Sequence, residues 1–182
     1  MFNQFGNLLK HSTTHRWNET SQGLFMVKKI TRFKRKEGDI ILIKLSDITF
    51  GYGRVLNDPL FAFYDLNTSQ PSLDIELIIK KDILFKVWVM KHAITSGRWE
   101  VIGNKSLESS LIQSQLFFKQ DIFTKEFTIY DSTTGQEMDA SYGECTSLER
   151  AAVWDTEHIE DRLEDYFNGR ENKWVESLKP LE

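Results

Sequence analysis

The sequence predicts an α+β fold: a mostly antiparallel β-sheet or partly open barrel, with one or two C-terminal helices packed on it. Three observations carry the prediction. Between residues 38 and 131, short β-branched and aromatic runs alternate with turn residues. After residue 146 the apolar spacing changes to a helical period. A composition 40% hydrophobic and 13% aromatic, with Cys145 the only cysteine, leaves a packed core and no disulfide framework to hold the fold.

The first 24 residues are mostly polar without apolar periodicity, so residues 1–30 read as a mobile or loosely docked extension of one domain, 31–182. Residues 39–45 form a β-branched run closed by Ser46-Asp47, a buried strand and its turn. Residues 49–56 and 59–65 continue an antiparallel meander. Gly51-Tyr52-Gly53 lacks the following Lys-Ser/Thr of a phosphate loop and fits a bulge or a close backbone approach. Pro71-Ser72-Leu73 interrupts the pattern before a long apolar stretch, residues 75–90. In residues 83–91, Phe85, Val87 and Val89 alternate with Leu84, Lys86, Trp88 and Met90, which marks a central strand. Residues 97–103 give a short strand between glycines. Residues 117–122 and 126–131 give a hairpin before a turn near Thr134-Gly135.

Thr146-Ser147-Leu148-Glu149 has the spacing of a capping box, so a helix can begin there. A second helix starts at Asp155 or Thr156, places Ile159, Leu163, Tyr166 and Phe167 on one face, and stops at Asn168-Gly169. Its other face carries Glu157, Glu160, Asp161, Glu164 and Asp165 and reads as a solvated anionic side.

Charge divides along the chain beneath a net of −4. Residues 1–36 carry eight basic side chains against Glu19, whereas residues 137–165 carry ten acids against Arg150 and Arg162. Such clustering steers partners of opposite charge, or simply solvates a face. Catalytic sets are incomplete. Cys145 and His158 lack a visible orienting group and a reason for a lowered thiol pKa. His11 and His15 have helical spacing, but no Glu follows His11, so the zinc-protease pattern fails, and the acids form no calcium loop. No cofactor or metal is expected, and binding rather than catalysis is the expected mode of action. Lys28, Lys29, Arg32, Lys34, Arg35 and Lys36 surround Phe33 and offer a nucleic-acid-binding alternative in residues 28–36, opposed by the acidic remainder. The lone thiol, the absence of a signal-peptide pattern and the lack of a membrane-length apolar run point to the cytoplasm.

Five blocks then stand in order: Lys36-Glu37-Gly38-Asp39-Ile40-Ile41-Leu42-Ile43; Phe50-Gly51-Tyr52-Gly53-Arg54-Val55-Leu56; Leu84-Phe85-Lys86-Val87; Ser96-Gly97-Arg98-Trp99-Glu100-Val101-Ile102-Gly103; and Leu148-Glu149-Arg150-Ala151-Ala152-Val153-Trp154, with His158 and Arg162. Over about residues 34–168 the chain thereby resembles the immunity protein 26 family of bacterial polymorphic toxin systems. The resemblance implies a mostly β fold without known catalysis. It also implies an inhibitor of a cognate toxin domain delivered by neighbouring cells, as in contact-dependent growth inhibition.

Many such toxins are nucleases with basic clefts, which an anionic surface with aromatic anchors can occupy. The expected partner-binding residues are therefore Glu157, Glu160, Asp161, Glu164 and Asp165, with Trp154 and Tyr166 as weaker candidates because both suit a core. Trp99 is expected in the core, with Arg98 anchoring a carboxylate of the C-terminal helix.

Overall fold

Apolar runs without alternation require cover on both faces of a sheet, and Asp39–Lys44 is such a run. In the computed structural model, which describes residues 34–182, this segment is β1. It is followed by β2 (Phe50–Val55), β3 (Leu60–Thr68), α1 (Ile75–Ile78), β4 (Ile83–Val89), α2 (His92–Thr95) and β5 (Glu100–Asn104). Then come α3 (Ser109–Ile112), β6 (Leu116–Gln120), β7 (Phe127–Asp131), β8 (Glu137–Ala140) and α4 (Tyr142–Cys145). The chain ends with β9 (Glu149–Arg150), β10 (Val153–Trp154), α5 (Thr156–Phe167) and α6 (Lys173–Leu178). One sheet runs β10-β4-β3-β2-β1-β5 and the other β8-β7-β6-β9. Both are antiparallel except where β10 meets β4 and β9 meets β6. Among the described residues no helix is long and apolar enough to cross a membrane.

The six-stranded sheet is buried on both sides. On one, Ile41, Ile43, Val55, Phe61, Phe63, Phe85, Val87 and Val89 pack with Ile159 and Leu163 of α5, Ala93 and Ile94 of α2, and Trp99. On the other, Ile40, Leu42, Tyr52 and Tyr64 meet Ile78 of α1, while Leu56, Leu60 and Ala62 meet Leu111 and Phe117. Trp88 packs against Phe117, ring centroids 4.5 Å apart, and so joins the two sheets. The alternation read in β4 is this division: Phe85, Val87 and Val89 enter the α5-side core, and Trp88 serves the opposite face.

The meander, the 117–131 hairpin and the α5 boundaries agree with the expectation, and α5 stops at Gly169, which adopts φ +65°. Gly51-Tyr52-Gly53 marks both a shift in the β2–β3 register and a tight approach. A Cβ on Gly53 would lie 3.0 Å from Ile41 Cδ1 and 3.1 Å from the Ala62 carbonyl oxygen.

Two readings need correction. No helix begins at Thr146, which ends α4 instead. The box forms one motif earlier, where the Glu144 carboxylate accepts from the Ser141 amide (2.8 Å) and hydroxyl (2.7 Å). Glu149 and Arg150 are drawn into β9 by their pairing with Phe117 and Phe118. Tyr166, expected on the docked face of α5, is 49% exposed, with its hydroxyl donating to Asp65 (3.3 Å).

Candidate partner-binding surface

α5 begins where Asp155 caps it, accepting from the Thr156 amide at 2.5 Å. Ile159 and Leu163 lock one side into the core, so Glu157, Glu160, Asp161, Glu164 and Asp165 fall on or beside the outward side. These acids are held by neighbours. Arg98 donates to both Glu160 oxygens (2.8 and 2.6 Å) and to Glu157, and Trp99 Nε1 donates to Glu160 at 2.8 Å. The Glu160 bond is the foremost reason that the Arg98 pKa is pushed above its ordinary value. Thus Arg98 does anchor the C-terminal helix, and Trp99 lies in the core as expected.

Asp161 accepts from Trp174 Nε1 (3.0 Å), and Asp165 from Arg170 (2.9 Å) and Asn172 (2.8 Å). Glu164 sits 3.8 Å from Arg170. The seven candidates therefore separate. Glu157, Asp161, Glu164 and Tyr166 present polar atoms outward. Glu160 and Asp165 spend theirs mainly on fixing α5 to Arg98, Trp99, Arg170 and Asn172. Trp154 is only 3% exposed and belongs to the core beneath this face, so it is not an outward anchor.

Arg162, on the same helix, lies 3.6 Å over the Phe85 ring and 4.9 Å from Trp154, and is bonded twice to Glu149 (3.2 and 2.5 Å). It ties β9, β10 and α5 to β4. His158 stacks on Trp174 at 3.5 Å. Burial first, then the neighbouring Glu144, push the Cys145 thiol pKa up, the reverse of what a thiolate nucleophile needs.

His92, Asp155 and Glu157 bring potential ligand atoms within 4.8 Å of one another. They gather at the N-terminus of α5, where the helix dipole opposes a cation. His92 Nε2 is already 3.0 Å from the Thr156 hydroxyl, and Glu157 is paired with Arg98. Of the basic segment 28–36, residues 28–33 lie outside those described, as do His11, His15 and the N-terminal extension. Arg35 pairs with Asp58 and has its guanidinium over the Phe61 ring at 5.3 Å; burial lowers its pKa. That side chain serves the fold and is not free for phosphates.

Residues 36–128, more than half of the chain, match the family described as Immunity protein 26. No curated protein and no solved structure matches the chain. The matched span holds β1 to β6, and so five of the six strands of the larger sheet. The block at residues 148–154, His158 and Arg162 fall beyond it, yet Arg162 rests on Phe85, the Met90 amide donates to the Trp154 carbonyl (3.0 Å), and Glu160 answers Arg98. With the six-stranded sheet and its Arg98-Trp99 turn inside the match and the C-terminal helix built onto both, the chain belongs to the Immunity protein 26 family.

Proposed function

We propose that this chain neutralises one cognate bacterial toxin domain, a nuclease delivered by neighbouring cells in contact-dependent growth inhibition, by binding it in the cytoplasm. Family membership makes the chain an immunity protein with a protein toxin as partner, and this observation carries the reading. The nuclease assignment draws its support from α5. Glu157, Asp161 and Glu164 recur at helical spacing along the outward side, about 6 Å and then about 4.5 Å apart along the axis. Arg98, Trp174 and Arg170 hold them, so little side-chain freedom is lost on docking. A fixed anionic strip of this kind matches a cleft shaped for phosphates and speeds encounter with it. Tyr166 adds a half-exposed ring at the end of the strip.

The inhibition is expected to be non-catalytic: occupancy of the toxin removes its activity. Reversing Glu157, Asp161 and Glu164 together to Lys tests the surface. Association with the toxin domain should slow by about tenfold or more and lose most of its dependence on salt. An unchanged association rate would remove α5 from the interface while leaving the immunity role intact.

A further inference from the structure

The four-stranded sheet is buried only along part of β6, where Phe117 and Phe118 face opposite sides, and becomes exposed towards β8. Phe117 and Tyr130, opposite each other in register, turn towards the six-stranded sheet, where both rings meet Trp88 at 4.5 and 5.7 Å. Alternation then sends Phe118, Ile129 and Met138 to the outer face, with Gln120, Phe127 and Ala140 in the next row. Cover there is partial, complete over Phe118 and fading towards β8. The Arg150 guanidinium lies over Phe118 at 4.8 Å and Tyr142 of α4 meets Phe127 edge-on at 6.0 Å. Gln120 exchanges hydrogen bonds of 2.6 and 3.1 Å with the Leu181 backbone. Met138, Tyr142 and Leu181 remain exposed.

At the end of this face the β6–β7 turn holds Ile122 and Phe123 in water, 77% and 92% exposed. The turn is tightly made. Asp121 accepts from the amides of Phe123 (2.7 Å) and Thr124 (2.8 Å), and its backbone bonds to Glu126 (3.0 Å) and Lys125 (3.1 Å). A large aromatic side chain held out in solvent by an ordered turn, beside further apolar surface, is the arrangement of an interface anchor: it buries much area on docking, and the backbone that carries it is already in place.

We propose that Ile122 and Phe123, with the outer face of the four-stranded sheet behind them, form the apolar anchor of the toxin interface. This rests on the immunity reading above. The chemistry required of the toxin is an apolar pocket of ring width bordered by basic side chains, because Asp121 and Glu126 flank Phe123 against the single charge of Lys125. A second copy of this chain is a poorer occupant. A two-fold contact through this tip would set the same acids against themselves.

The test titrates the full chain, calorimetrically, against the purified, catalytically inactivated C-terminal domain encoded by the gene upstream of its own. Phe123→Ser should weaken binding by about 30-fold or more, Phe123→Leu should recover most of it, and the thermal midpoint of each variant should match that of the parent. Tight binding by the parent and equal binding by Phe123→Ser would overturn the anchor and leave the immunity reading standing. No binding by the parent would instead overturn the immunity reading, and the anchor with it. A parent dimer in sedimentation that Phe123→Ser makes monomeric, with toxin affinity unchanged, would assign the face to self-association and overturn the proposal.

Discussion

The two sheets of this protein are made of similar residues and do opposite things with them. In the larger sheet the rings of Phe61 and Phe63 are fully buried against Trp99, at 6.0 and 5.8 Å, and both faces are covered. In the smaller sheet Phe117 and Phe118 are buried on opposite faces, while Ile129 and Phe127 are half-buried and Met138 is exposed. Burial on both sides throughout makes a sheet a scaffold, and burial that fades towards an edge strand leaves a surface to offer. Stability should therefore concentrate in one sheet and partner recognition in the other and on α5.

The sharpest way to break this contrast is a matched pair of truncations read by urea denaturation. Phe63→Ala, which empties space beside Phe85 (4.9 Å) and Trp99, should cost about 4 kcal/mol, whereas Met138→Ser should stay within about 0.5 kcal/mol. Comparable losses would erase the distinction. Next comes Arg54, fully buried, whose guanidinium reaches Glu108 (2.7 Å) and the carbonyls of Lys105 (2.8 Å) and Ser106 (2.7 Å). Arg54→Ala should cost about 3 kcal/mol, because it strands acceptors and opens a cavity under the 105–108 segment.

The scaffold was legible in the sequence because its signals are local. The runs at 39–45 and 83–91, the Gly51-Tyr52-Gly53 approach and the stop at Gly169 each follow from a few adjacent residues. Arg98 was legible through the resemblance block, and its carboxylate partner proved to be Glu160 with Glu157 beside it. The tethering of the α5 acids was not legible. Periodicity assigns Glu160 and Asp165 to a free face, while their partners Arg98, Trp99, Arg170 and Asn172 lie off the helix. The box at Ser141 and Glu144 competes with the one at Thr146 and Glu149, and only the pairing of β9 with β6 decides between them. The four-residue helices α1 to α4 carry too little periodicity to be read, and neither Ile122, read as the end of a strand, nor Phe123, in the following turn, carries a sequence signal of its exposure.

A smaller effect separates the roles within α5. Glu160→Gln loosens Arg98 and Trp99 and should cost about 1 kcal/mol in thermal denaturation, whereas Glu157→Gln, on a more exposed pair, should be close to neutral. Equal costs would mean that both acids are structural. The smallest expected effect lies in the β7–β8 turn. There the Ser114 hydroxyl (2.5 Å), followed by the amides of Thr134 (2.9 Å) and Thr133 (2.8 Å), holds the Asp131 carboxyl down to about 2. The unfolded carboxyl titrates near 3.8, so the stabilisation from this pKa shift is complete above that value and is lost as pH falls through about 2. Denaturation curves of the parent and Asp131→Ala should show a gap that is constant near neutrality and narrows below about pH 4. A gap independent of pH would contradict the assignment.

Protection by this chain depends above all on recognition of a protein toxin. Its most direct test is co-expression of the full chain with the product of the 3′ end of the gene upstream of its own, scoring growth and recovery of a complex by size-exclusion chromatography. Restored growth together with a stoichiometric complex is the expected result. Arrested growth with no complex, despite soluble folded chain in the same cells, would contradict it.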